Sequence, residues 1–268
     1  MSYMFCECYK ITELDLKNFI TNEVTDMSYM FQQCNRLSNI DLSNFNTEKV
    51  VDMSHMFSNC GNIKNLDLSK FNTDKVIDMS YMFNYCSSLK SLDISSFNTE
   101  NVEDMSYMFS TSSIESLSLS HFKTKEVTNF SYMFRSCTYL TSLDLSNLNT
   151  ENAKTMDYTF SECRGLESLD LSNFNTEKVT SFSHTFTSCS HLEYIKFSPS
   201  FKTNSALSMN FLFHNDGSLI SLDLSSFDTS KVTDMENMFA GCRNLLHLDV
   251  SKFDTSNVET IAGMFNAC

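Results

Sequence analysis

"FSNCGNIKNLDLSKFNTDKVIDMSYMF", residues 57–83, holds one full unit of a pattern that fills the chain. Within it "IKNLDLS" sets Ile63, Leu66 and Leu68 at the spacing L-x-x-L-x-L. Leu66, Asp67, Leu68 and Ser69 alternate with period two, which predicts a short strand with leucine inward and Asp67 and Ser69 outward. The period then changes. In "KVIDMSYMF" the apolar residues Val76, Met79, Met82 and Phe83 fall at offsets of three, six and seven, a stripe that predicts a short helix. Asp78 and Thr73 each carry a side-chain oxygen suited to cap it.

The phenylalanine that closes the unit recurs as Phe5, Phe31, Phe57, Phe83, Phe109, Phe134, Phe160, Phe186, Phe213, Phe239 and Phe265. The steps are 26 residues, apart from one of 25 (Phe109 to Phe134) and one of 27 (Phe186 to Phe213). Ten units fill residues 1–268 with no linker or composition shift between them, so the chain reads as one domain. A unit this small buries its apolar face only by stacking on its neighbours. The expected fold is an α/β repeat solenoid, a leucine-rich-repeat-like curved stack of ten coils. Each coil would carry one short parallel strand on the concave side and one short helix on the convex side. A parallel β-helix is the alternative, and the helical stripe suits it poorly. With 5 glycines and Pro199 as the single proline, the turns fall to Asn, Asp, Ser and Thr.

The columns of the repeat absorb two oddities of composition. All 16 methionines stand in two columns, where Phe130, Phe182, Leu212 and Ile261 substitute for them, which marks adaptable core packing rather than soft-metal binding. Nine of the 10 cysteines form one column: Cys8, Cys34, Cys60, Cys86, Cys137, Cys163, Cys189, Cys242 and Cys268. No C-x-x-C pair or zinc spacing accompanies them, and parallel side chains on successive coils are poorly aimed for disulfides. They read as buried thiols, with Cys6, off the column, as the exposed one.

The combination L-x-x-L-D-L-S-x-F-x-T followed by V-x-D-M-S-x-M-F-x-x-C resembles the 26-residue bacterial surface protein repeat of the BspA-like leucine-rich repeat group. "LDISSFNTENVEDMSYMF" (92–109) and "LDLSSFDTSKVTDMENMF" (222–239) carry it clearly. The resemblance covers essentially all of 1–268. It implies a leucine-rich-repeat solenoid and a secreted or surface-anchored protein with a role in attachment, and it supplies no catalytic motif. Residues 1–10 lack the apolar core of a signal peptide, and no apolar run is long enough to span a bilayer. Both ends break off at the same phase of the repeat, so the chain reads as a fragment of a longer one.

Outward on the strand stands the column Asp15, Asp41, Asp67, Asp93, Ser118, Asp144, Asp170, Lys196, Asp223 and Asp249. Adjacent carboxylates repel by roughly 1 kcal/mol in a water-like medium, which side-chain splay, salt, a bound cation or hydrogen bonds from the flanking serines must offset. A calcium ladder is the sharp version, but no D-x-D-x-D loop is present. The clearest break in the repeat, "HLEYIKFSPSFKTNSALSMNFLFHND" (191–216), puts Tyr194 and Lys196 on this face and offers His191 and His214 as companions. The candidate ligand-binding residues are therefore Asp41, Asp67, Asp93, Asp144, Asp170, Tyr194, Lys196, Asp223 and Asp249.

A net charge of −14 disfavours nucleic acid and direct adsorption to an anionic membrane. The 6 histidines scatter over different columns with no nucleophile motif or phosphate loop, so no enzyme, cofactor or metal site is expected. Two functions follow as expectations. One is a surface recognition or adhesion module binding protein or glycan of host or neighbouring cells through the concave face. The other is a structural solenoid that self-associates through its ends or edges.

Overall fold

The computed structural model describes residues 1–268, and none of them is helical. The helix expected over "DMSYMF" is replaced by a row of turns. An α-helix would spend each amide on the carbonyl four residues back. Here alternate amides leave the coil: Tyr29, Phe31 and Gln33 donate to the carbonyls of Ser54, Met56 and Ser58 at 2.9, 3.0 and 2.8 Å. The amides between them turn back three residues, Met30 to Met27, Gln32 to Tyr29 and Cys34 to Phe31, at 3.3, 3.1 and 3.1 Å. Tyr29 and Gln33 have φ of 58° and 59°, the left-handed region that interrupts a right-handed helix. Successive three-residue turns bring inward residues at nearly the spacing of a helical stripe, which is why the two share a sequence signature.

This side of the coil carries the continuous ladder. Parallel bridges join Asp26, Asp52, Asp78, Asp104, Asn129, Thr155, Ser181, Ser208, Asp234 and Thr260 in one row. Thr73 and Asp78 do not cap a helix. Asp78 accepts the Ser80 amide at 2.8 Å and so closes the turn that opens the row. Thr73 is buried, donates to the Asn98 carbonyl and accepts the Asn98 amide, both at 2.8 Å. Thr47, Thr99, Thr124 and Thr150 clasp the following coil in the same way.

Regular strands form in four places rather than in every coil. β1 (Glu13–Leu14) pairs in parallel with β2 (Asn39–Ile40), and β3 (Ser168–Asp170) with β4 (Tyr194–Lys196). Elsewhere the face is held by single bridges such as Ser91 to Ser116 and Ser221 to His247. Extended stretches are short in both kinds of coil: Asp67 accepts the Ser69 amide at 3.0 Å, and Asp41 and Asp93 do the same with Ser43 and Ser95, which bends the chain after two or three extended residues. Of 124 backbone hydrogen bonds, only 2 lie within regular strands, so the turns carry the framework.

Between the two sides lies a single core of 72 buried residues. Its spine is the closing-phenylalanine column, in which adjacent rings stack at 5.4–6.0 Å from Phe5 to Phe265. The cysteine column packs beside it without disulfides, buried from Cys34 to Cys242, while Cys8 and Cys6 are half-buried and Cys268 is exposed. Each buried thiol also donates to a phenylalanine carbonyl one coil back, as in Cys60 to Phe31 at 3.1 Å and Cys163 to Phe134 at 3.0 Å. Polarity, as well as size, suits cysteine to this column.

Candidate functional site

The strand face gathers the residues expected there. Asp41, Asp67, Asp93, Asp144, Asp170, Tyr194, Lys196, Asp223 and Asp249 are all exposed. Their carboxylates are not loose. Besides the three named above, Asp144, Asp170, Asp223 and Asp249 accept the amides of Ser146, Ser172, Ser225 and Ser251 at 2.9–3.0 Å. Hydrogen bonds from the side chain and amide of the paired serine hold the carboxyls of Asp41, Asp67, Asp93, Asp144, Asp223 and Asp249 below the usual range. The flanking serines thus supply the compensation that the row of like charges requires, and every carboxylate but that of Asp170 keeps its second oxygen.

Lys196 does not stand free. Its Nζ lies 2.8 Å from Asp170 Oδ2, and together with Ser172 it lowers the Asp170 carboxyl to about 2. Tyr194 shares β4 with it and is exposed. The remaining members of the expected cluster separate. His191 bonds the Arg164 carbonyl, and His214 lies on the turn side, its ring edge-on to Phe211 at 5.1 Å. Where Ser118 interrupts the acidic column, Ser91, Asp93, Ser116, Ser118, Ser142 and Asp144 line an open groove of about 520 Å³. No three His, Cys, Asp or Glu side chains come together as a metal site.

Nine successive coils each place an aromatic ring on the turn side. Tyr3, Tyr29, His55, Tyr81, Tyr107, Tyr132, Tyr158, His184 and Phe211 form one stack, with centroids 4.1–4.5 Å apart and planes within 6–11°. Partial burial lowers the His55 and His184 imidazoles, the latter to about 4 with His214 and Arg135 adding to it. Both rings are therefore mainly neutral at pH 7. Burial and the neighbouring Tyr107 raise the Tyr132 phenol to about 12. Because each interior ring covers the next, the rings between Tyr3 and Phe211 offer edges to solvent and no open face. The recurrence of an aromatic residue every 26 positions was the available signal; the left-handed backbone that aligns the rings was not.

The family described as "Mycoplasma protein of unknown function, DUF285" matches over residues 1–117, 111–215 and 196–268. No curated protein matches the chain. Among solved structures, a leucine-rich repeat protein of Bacteroides ovatus superposes with a TM-score of 0.58 at 17% identity, over 89% of this chain and 62% of that one. The chain thus spans about three fifths of that structure, and the likeness establishes a leucine-rich-repeat solenoid. A leucine-rich repeat protein of Eubacterium ventriosum gives 0.46 at 15% identity, over 94% of this chain and 82% of its own. A leucine-rich cell surface protein of Faecalibacterium prausnitzii gives 0.36 at 15%, over 85% and 78%.

Proposed function

The chain belongs to the family described as "Mycoplasma protein of unknown function, DUF285", and on that footing we propose that it is a non-enzymatic recognition module that binds protein through its strand face. The resemblance of its repeat to the BspA-like group supports a place on the cell surface or outside the cell. The turn side is committed to packing, with its rings covering one another and its amides spent between coils. That leaves the strand face as the array of exposed, ordered side chains.

One observation carries the reading: the strand face is more acidic than its turns require. A neighbouring loop closes the same kind of turn with asparagine. Asn46, Asn72, Asn98, Asn149 and Asn175 accept the amide two residues on, at 2.9–3.1 Å, just as the strand-face aspartates do. Asparagine therefore satisfies this geometry without charge, and the loop column uses aspartate too, at Asp228 and Asp254. The strand column holds aspartate in eight positions and asparagine in none. A row of fixed carboxylates on a rigid solenoid favours a partner with a basic surface and steers its approach.

The test is a binding screen of the purified chain against extracellular proteins and glycans, read by surface plasmon resonance. The expected partners carry a basic surface and bind saturably. Converting Asp67, Asp93, Asp144 and Asp170 to asparagine is expected to weaken them at least about tenfold, roughly 1.4 kcal/mol. Partners that bind the asparagine variant as well as the parent remove the acidic column from the account.

A further inference from the structure

The strand face changes character over its last three coils. Earlier in the chain the two residues ahead of the central apolar position are polar, as in Lys64–Asn65, Lys90–Ser91, Glu115–Ser116, Thr141–Ser142 and Glu167–Ser168. They then become Glu193–Tyr194, Ile220–Ser221 and Leu246–His247. Coil pairing sets Glu193, Ile220 and Leu246 in one column and Tyr194, Ser221 and His247 in the adjoining one, because Ser221 bridges His247 and the Ile220 amide donates to the Glu193 carbonyl at 3.3 Å. Tyr194, Ile220 and Leu246 are 52%, 37% and 77% exposed. Single exposed apolar residues are ordinary, whereas neighbours on successive coils of one face make a patch.

A second feature lies beside the patch. The 27-residue step from Phe186 to Phe213 places its extra residue next to Pro199. There a cavity of about 230 Å³ opens between Phe197, Ser198, Pro199, Asp223, Ser225 and Ser226. Its lining combines one aromatic ring, Phe197, with one carboxylate, Asp223. Asp223 Oδ1 accepts the Ser225 amide at 3.0 Å, and Oδ1 of Asp249 next to it accepts the Ser251 amide at 2.9 Å. Hydrogen bonds from Ser225 and Ser251, and to a lesser extent Lys252 through space, lower the two carboxyls, and Lys252 forms an ion pair with neither. Asp170, by contrast, is already taken by Lys196.

We propose that this end of the strand face docks a basic, apolar segment of a partner protein. Apolar residues of the segment cover Tyr194, Ile220 and Leu246. An arginine or lysine enters the cavity with its stem over Phe197 and its cation at Asp223. The site takes a cation because its free carboxylate is exposed beside apolar surface, the arrangement in which long basic side chains use both stem and charge. The inference rests on the strand face being the recognition surface and names where on that face the partner sits.

The probe is a phage-displayed library of random short peptides selected against the purified chain. Selected peptides are expected to combine lysine or arginine with apolar residues. Their affinity should fall about tenfold or more, ~1.4 kcal/mol, with Asp223→Asn, and again with Tyr194→Ala and Leu246→Ser together. Glu13→Gln, at the far end of the same face and outside the acidic column, should leave it unchanged, and thermal melts should show all variants folded. Binding lost with Glu13→Gln but kept with the other variants overturns this location while leaving the strand face in place. Binding lost only with Tyr85→Ser, on the turn side, overturns both readings. Peptides free of basic residues, or no enrichment at all, overturn the proposal.

Discussion

Asp216 occupies the column in which seven other coils bury a cysteine. Its side chain is fully buried; Oδ1 accepts the Cys189 amide at 2.7 Å and Oδ2 has no partner. Burial raises its carboxyl well above the ordinary range, so the neutral acid is the form the core accepts. A folded-state pKa above the unfolded one gives stability that is complete below about pH 4 and is lost as pH rises toward the folded value. Asp216→Cys is therefore expected to stabilise the protein at neutral pH by about 1–3 kcal/mol, the usual cost of an unsatisfied buried polar group. It should also flatten the decline with pH. Thermal melts of parent and variant across pH check both, and parallel curves would contradict the assignment. Thr73→Val, which strands the Asn98 amide and carbonyl, should cost about 1–3 kcal/mol in a denaturant titration. Thr73→Ser, which keeps the hydroxyl, should cost less. The sequence displayed the threonine column plainly, but the inter-coil clasp depends on a neighbour 25 residues away that no local pattern specifies.

The coil half from Asp78 to Cys86 shows why a helix and a row of turns were hard to tell apart. Met79, Met82, Phe83 and Cys86 point inward at spacings of three, one and three, which both structures allow. What separates them is the sign of φ at Tyr81 and Tyr85, 58° and 55°, and side chains that ordinarily avoid that region give no warning of it. Each such residue costs about 1–2 kcal/mol, offset here by amides bonded to the next coil and by ring stacking. Far-ultraviolet circular dichroism should lack a helical signature, and its presence would refute the turn ladder. Tyr107→Ala removes two stacked contacts and is expected to cost at least about 1–3 kcal/mol beyond lost burial, read by thermal denaturation, whereas Tyr107→Phe should be nearly neutral. The His184 imidazole, lowered to about 4, works in the opposite direction to Asp216. Its folded pKa lies below the unfolded value near 6.5, so its contribution is complete above about pH 6.5 and lost as pH falls toward 4. His184→Tyr should remove that acid-side loss in the same melts.

At the scale of the whole molecule, repetition separates what supports the fold from what is offered to a partner. The 26-residue period, the inward columns and the outward acidic column were legible in the sequence because every coil restates them. Three things were not: the absence of helices, the sparse regular strands, and the separation of His214 from Tyr194 and Lys196. Each depends on the path of the backbone between columns. Charge on the strand face is the central functional claim, and its alternative is that aspartate is there only to close turns. The measurement that divides them is a paired thermal melt and binding isotherm for a variant with Asp67, Asp93, Asp144, Asp170, Asp223 and Asp249 all changed to asparagine. The account predicts an unchanged melt, because asparagine keeps the turn acceptor, together with loss of binding to basic partners. A lowered melt with binding intact would mean that the carboxylates serve the fold and that recognition lies elsewhere.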